Sequence, residues 1–228
     1  MKSVLCVAAH PDDEVLGAGA TLARFAGEGA KLHLLILGEG ITSRRNADPQ
    51  SVSNLDQHAK EASEVLGIES LMRCHFPDNR MDTIPLLEII HAIEAEKERI
   101  NPDLVLTHFG GDLNIDHRIC FETVMTAFRP LPNQNARAIW CFEAPSSTGW
   151  AGPLPERNFS PDIFVEITSH HLKKKLQAMS CYTTEARSFP HPRSPEALQA
   201  MAQYRGSQVG LEFAEAFSLA RHIITIDR

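Results

Sequence analysis

Apolar residues along this chain gather into short unbroken runs, separated by stretches where they recur every three or four positions. Residues 3–9 (SVLCVAA), 32–37 (LHLLIL) and 103–107 (DLVLT) are runs of the first kind. A strand covered on both faces needs apolar side chains at nearly every position, so these runs predict buried parallel strands. Residues 70–76 (SLMRCHF), 138–143 (AIWCFE) and 163–167 (IFVEI) are further strand candidates. Between the runs the spacing predicts helices. The first extends from about Val15 to Glu28, with Leu16, Ala20, Leu22 and Phe25 on its apolar face and Gly29 to stop it. Others cover about 54–66, closed by Gly67, about 85–98, opened by Pro85, and about 118–128. The chain beyond 167 reads as mostly helical, broken by FPHPRSP at 189–195. Two polar stretches, 39–52 and 144–161, read as long loops, the first a candidate lid. Strand alternating with helix predicts an α/β fold: Rossmann-like, three-layered, with a mostly parallel sheet in a single domain over 1–228. Its core falls in about 3–130, and 131–228 is expected to complete the sheet and cover the site.

Composition adds exclusions. The chain has 228 residues, 43% of them hydrophobic, and a net charge of -7. That length supports one substantial core, and the acidic balance argues against a nucleic-acid backbone as partner. Five cysteines, none in a CxxC pair, fit a reducing compartment better than a disulfide framework. The opening apolar run is too short for a signal peptide and ends in charged residues, and no segment reads as a membrane span. A cytoplasmic protein is expected.

Candidate chemistry sits where the first and fourth predicted strands end. AHPDDE, residues 9–14, follows the first, and THFGGDLNIDHR, residues 107–118, follows the fourth. Ligands of open α/β sheets bind outside the carboxyl ends of the strands. Parallel strands bring these two clusters to one edge, although about a hundred residues separate them. Imidazole and carboxylate together suit zinc, with other transition metals as alternatives. Either cluster alone reads equally well as a helix-capping turn. Two ionisable turns at two strand ends favour a metal site, with the reaction left open.

At these residues the sequence resembles the LmbE-like, or PIG-L-like, family of zinc-dependent N-deacetylases. His-Pro-Asp-Asp-Glu at 10–14 is similar to that family's first signature, and Asp116-His117 to the end of its second. Pro-Ser-Ser-Thr at 145–148, FPHPRS, RGSQVG and AEAF resemble one bacterial branch. The resemblance implies that His10, Asp13 and His117 bind one zinc ion per chain, and that Asp12 is the general base that deprotonates the attacking water. It implies removal of an N-acetyl group from a glucosamine-like sugar or sugar conjugate, a small-molecule substrate, by a chain that forms a small homo-oligomer. Asp116 would orient a histidine. Many relatives carry a histidine three residues before the last ligand, where this chain has Asn114. Asparagine can donate a hydrogen bond to an oxyanion but cannot deliver a proton, so the acid role falls to Asp12 or to a histidine from elsewhere, with His108 and His191 as the candidates. The family often has an Arg and a Glu on the helix after the polar loop. Here His58 and Glu61 stand in that region, and Arg44 or Arg45 is the candidate substitute.

For substrate binding the candidates are Arg44, Arg45, His108, Arg187, His191 and Arg193, each weighed against a solvated loop or a rigid surface turn. Asp78 and Arg80 could contact sugar hydroxyls, and Trp150 could stack on a sugar face. Trp140, Phe142 and His33 read as structural. Three other classes compete. A dinucleotide-binding oxidoreductase is disfavoured because Leu22 occupies the place of the third fingerprint glycine. The others are a non-catalytic sugar- or metal-binding module and a metal hydrolase acting on another amide or a phosphoester.

Overall fold

The computed structural model describes residues 2–43, 49–132 and 134–225. Among them are seven strands in one sheet: β1 (Ser3–Ala8), β2 (Lys31–Gly38), β3 (Ser70–Phe76), β4 (Leu104–His108), β5 (Ala138–Phe142), β6 (Ile163–Glu166) and β7 (Ala214–His222). The helices are α1 (Asp13–Gly27), α2 (Pro49–Leu66), α3 (Leu86–Ile100), α4 (Ile115–Ala127), α5 (Ser169–Cys181) and α6 (Pro195–Ser207). The sheet order is β3-β2-β1-β4-β5-β7-β6. The first five strands in that order are parallel, while β7 runs antiparallel to both β5 and β6. This is the expected single-domain, mostly parallel α/β fold.

The apolar runs are explained by two-sided burial. Along β1, Val4, Cys6 and Ala8 join the core beneath α1, α2 and α5, while Leu5, Val7 and Ala9 join a second core beneath α3 and α4. Alternate residues of a strand point to opposite faces, so a strand between two helical layers has no polar face to spare. Gly17 on α1 marks the closest helix–sheet approach. A Cβ there would lie 2.1 Å from Cδ2 of the buried Phe142 ring, so glycine is required by packing and not as part of a dinucleotide fingerprint.

Two expectations are corrected. The tail is not mostly helical: residues 214–222 form β7, a nine-residue strand inserted between β5 and β6. Its Ala, Glu and Leu residues favour helix in isolation, but backbone partners on both sides override that preference. The fourth helix begins at Ile115, not near Arg118. Asn114 is its N-cap, with Oδ1 accepting the Asp116 N–H at 2.8 Å. Asp116 and His117 therefore belong to a rigid first turn and not to a loop. Likewise α2 starts at Pro49, inside the stretch read as a candidate lid.

The chain moves outward from β1 through β2 and β3, then returns to place β4 on β1's other side. This reversal opens a crevice at the carboxyl ends of β1 and β4. Among the described residues no helix is long and apolar enough to cross a membrane.

Candidate active site

The turn leaving β1 carries His10, Asp12 and Asp13. Asp12 adopts a left-handed backbone (φ 105°, ψ -24°) before α1 begins. Such a conformation disfavours a residue with a side chain and persists only where surroundings enforce it. Here they do: the Asp12 N–H donates to Glu14 Oε2 at 3.2 Å, and Glu14 Oε1 accepts the Tyr182 hydroxyl at 2.6 Å. Both Glu14 and Tyr182 are fully buried. Burial pushes the Glu14 carboxyl up to about 7, with the Tyr182 hydrogen bond acting against that rise.

Asp13 is the hub. Its Oδ2 lies 3.4 Å from His10 Nδ1 and 3.2 Å from His117 Nε2, and accepts the His10 backbone N–H at 2.9 Å. Each imidazole is anchored through its other nitrogen. His10 Nε2 lies 2.9 Å from Asp116 Oδ2, while Asp116 also accepts the Asn79 and Met81 N–H groups at 2.6 and 3.1 Å. His117 Nδ1 lies 3.2 Å from both Asp112 Oδ1 and Ser147 Oγ. Asp112 in turn accepts the hydroxyls of Thr148 and Ser147 at 2.5 and 3.0 Å. Burial opposes charge on the two imidazoles, but the surrounding carboxylates prevail and raise His10 to about 10 and His117 to about 9. Burial also opposes the Asp13 carboxylate, yet His117 and His10 hold its carboxyl well below the usual range.

His10, Asp13 and His117 each offer one buried ligand atom, all within 4.8 Å of one another. Two imidazoles and one carboxylate are the donor set of a catalytic zinc-type site with coordination left open. Commitment of the outer ring nitrogens to carboxylates is what such ligands require. Ligand atoms of His10, Asp78 and Asp116 also lie within 4.8 Å of one another. Asp116 is already occupied by two backbone donors and His10, so the first set fits a metal better.

Above these residues lies a pocket of about 130 Å³, whose lining includes His10, Asp12, His117, Asn79, Asn114 and Arg193. Arg193 enters from the segment after α5. Its Nη1 donates to Asp12 Oδ2 at 2.6 Å and to Glu185 at 3.0 Å, and its Nε donates to Ser146 at 3.1 Å. Burial raises the Asp12 carboxyl well above the carboxylate range, against the pull of Arg193.

The other sequence candidates separate clearly. Asn114 reaches the pocket, its Nδ2 donating to Asn79 Oδ1 at 3.0 Å. His108 lies behind Asp13, fully buried, stacked on His117 with ring centroids 3.9 Å apart. Its Nε2 accepts the Ala9 N–H at 2.9 Å and so carries no proton, which makes its 3.4 Å approach to Asp13 no ion pair. Burial and His117 lower it to about 4. Arg187 is exposed and donates to the carbonyls of Thr184 and Ala186 in its own turn. His191 accepts the Arg193 N–H at 3.1 Å and meets Trp150 edge-on at 5.7 Å. Asp78 is a buried pocket residue that accepts the Ser43 hydroxyl at 2.6 Å. His58 packs edge-on to Tyr182 at 6.4 Å. Glu61 is exposed and bonded to Gln57. His33 bonds Ser70 near the start of β2. Arg44 and Arg45 lie outside the described residues.

Sequence reasoning did not find the anchoring roles of Asp112, Ser147 and Thr148, nor the Glu14–Tyr182 support. The signal for the first three was present in GGD and PSST, but their meeting depends on β4 and β5 lying side by side.

Comparison with known proteins matches residues 5–128 to the family model described as PIG-L, GlcNAc-PI de-N-acetylase. A relative in Escherichia coli K12, described as the uncharacterized deacetylase YaiS, is 28% identical over 183 residues, covering 78% of this chain and 89% of its own. The diacetylchitobiose deacetylase of Thermococcus kodakarensis is 26% identical over 227 residues, covering 94% and 82%. Among solved structures, the 4-carboxy-2-hydroxymuconate hydratase GalB of Pseudomonas putida KT2440 superposes with a TM-score of 0.76 at 23% identity, over 100% of both chains. One architecture thus carries both deacetylases and a hydratase, and the reaction has to be argued from the site.

Proposed function

Because this chain belongs to the GlcNAc-PI de-N-acetylase (PIG-L) family, we propose that it is a metal-dependent hydrolase removing an N-acetyl group from a glucosamine-like sugar or sugar conjugate. The observation that carries the reading is the His10–Asp13–His117 donor set at the base of a pocket that His10, His117 and the Asp12 carboxylate line together. The cofactor we assign is zinc, one ion per chain, which when bound supplies a Lewis acid for the amide carbonyl and lowers the pKa of water.

The chain's own residues do the rest. Asp116 and Asp112 take the outer N–H groups of His10 and His117 and fix the tautomers, so that the inner nitrogens face Asp13. Asp12 is the general base. A carboxyl raised by burial is better matched to accepting a proton near neutral pH than an exposed one. The left-handed turn and Arg193 aim it into the pocket. The amide C–N bond breaks, the water oxygen stays with the released acetate, and the proton gathered by Asp12 passes to the departing amine. Asn114 offers an amide donor at the wall in place of an acid. Arg193 is the candidate substrate-binding cation that the geometry supports best, since it alone of the described arginine candidates lines the pocket.

The test is bound-metal analysis together with free-amine release from N-acetylglucosamine in free, phosphorylated, nucleotide-linked and glycoside forms, with Asp12→Ala beside the parent. About one zinc per chain and turnover lost in the variant are expected. Metal without turnover on any form would favour a binding module. Undiminished turnover by the variant would remove Asp12 from the role of base.

A further inference from the structure

Lys175 of α5 and Glu215 of β7 are both buried, 5% exposed, and paired, with Lys175 Nζ donating to Glu215 Oε1 at 2.6 Å. Taking two charges out of water carries a large desolvation penalty, and packed apolar residues of similar size stabilise a fold as well or better. The pair therefore calls for a use beyond stability, and its other bonds show which. Lys175 Nζ also donates to the Leu16 carbonyl at 2.8 Å. Glu215 Oε1 and Oε2 accept the N–H groups of Ala20 and Thr21 at 3.2 and 2.6 Å. All three backbone groups lie inside α1, where a regular helix pairs the Ala20 N–H with the Leu16 carbonyl and the Thr21 N–H with that of Gly17. The ion pair thus reaches into the hydrogen-bond ladder of α1 itself. Gly19 admits it, since a Cβ there would lie 3.2 Å from Lys175 Cγ.

Resting on the metal-dependent reading of the site, we propose that Lys175 and Glu215 are positioning residues that brace the turn carrying the Asp12 base and the Asp13 ligand. The Leu16 N–H donates to the Asp12 carbonyl at 2.9 Å, so Lys175 grips the very residue that holds the peptide after Asp12. The peptide before Asp12 is held separately: its N–H donates to Glu14, whose second oxygen accepts the Tyr182 hydroxyl. Lys175 lies two turns before Tyr182, the residue that closes α5, and so on the same face of that helix. Both peptide groups flanking Asp12 are therefore fixed through α5, one by Tyr182 and the other by Lys175. Two braces are needed because the left-handed backbone of Asp12, φ 105°, persists only where its neighbours enforce it. Asp13 follows directly, so the same braces set the metal ligand. Glu215 keeps the ammonium in place and offers the Ala20 N–H an acceptor other than Leu16. Neither member of the pair lines the reaction pocket, so its influence on the chemistry passes through α1.

The experiment compares the parent protein with Lys175→Met, with the charge-free double variant Lys175→Met and Glu215→Gln, and with Ile93→Ala, a change in the second core beneath α3 and α4. Zinc affinity is read by competition with a chromophoric chelator, cobalt coordination by visible absorption, and folding by urea denaturation. Amine release is followed on free, phosphorylated, nucleotide-linked and glycoside forms of N-acetylglucosamine. Removing both charges relieves the penalty of an unpaired buried ion, so the double variant should fold better than Lys175→Met. It should still bind zinc about tenfold more weakly than the parent, with an altered cobalt spectrum. Its kcat on any form the parent hydrolyses should fall about tenfold, with KM within about twofold. Ile93→Ala should lose stability and keep both metal readouts. Parent-like zinc affinity and cobalt spectrum in the double variant would overturn the brace, as would an equal loss of zinc affinity in Ile93→Ala. Zinc binding that depends on the pair, without amine release from any form, would keep the brace and count against the deacetylase reading. A parent that binds neither zinc nor cobalt would overturn both.

Discussion

Replacing Tyr182 with phenylalanine removes one oxygen from the interior and should make the protein's stability more sensitive to pH. The Tyr182 hydroxyl donates to Glu14 at 2.6 Å, and the other Glu14 oxygen holds the Asp12 N–H. Leaving a buried acceptor without its donor costs about 1–3 kcal/mol, the upper end applying when the acceptor is charged. Glu14 titrates near 4.5 in an unstructured chain and near 7 here, because burial penalises its charge. The folded state therefore holds a proton that the unfolded state has lost, and this group's contribution to stability declines as pH rises from 4.5 to 7. The tyrosine hydrogen bond favours the charged form. Without it the folded pKa rises further, and the decline continues at pH values where the parent has levelled off. The cost of Tyr182→Phe should thus be about 1 kcal/mol near pH 5.5 and about 2–3 kcal/mol near pH 8.5. Urea denaturation of parent and variant at both pH values, with chelator present throughout, measures the difference. Equal costs at the two pH values would refute the argument, because they would mean that Glu14 does not change charge in that window.

Three further outcomes follow from the structure. In the metal-free protein His10 and His117, raised to about 10 and about 9, are protonated at neutral pH, and each must lose a proton to become a ligand. Metal binding should release about two protons and tighten as pH rises toward 9; calorimetry in buffers of different ionisation enthalpy reads this number, and release near zero would contradict it. Conversely, the stability these imidazolium groups contribute to the metal-free fold is fully present below 6.5 and is lost as pH rises through 9 and 10. Gly17→Ala drives a methyl to 2.1 Å from the Phe142 ring, which lies 4.6 Å from His108 and through it against His117. Overpacking of about 1–3 kcal/mol should outweigh the gain of up to about 1 kcal/mol in helix propensity. Lower urea midpoints and weaker metal retention are expected, and a stabilised variant would show that the helix–sheet contact yields easily.

The sequence alone determined the elements whose identity depends on near neighbours. The runs at 3–9 and 32–37 read as strands buried on both faces, because they are too short for a buried helix and apolar at nearly every position. HPDDE and DLNIDH were legible as chemistry because their ionisable residues follow such strands directly. Tertiary structure decided whatever depends on distant partners. Residues 214–222 carry helix-favouring alanines and became β7 because β5 and β6 offered ladders on both sides. Arg193 meets Asp12 across 181 positions and Tyr182 meets Glu14 across 168. Neither contact leaves a trace in local spacing, since a hydrogen bond constrains where two groups lie in space and not how far apart they stand along the chain.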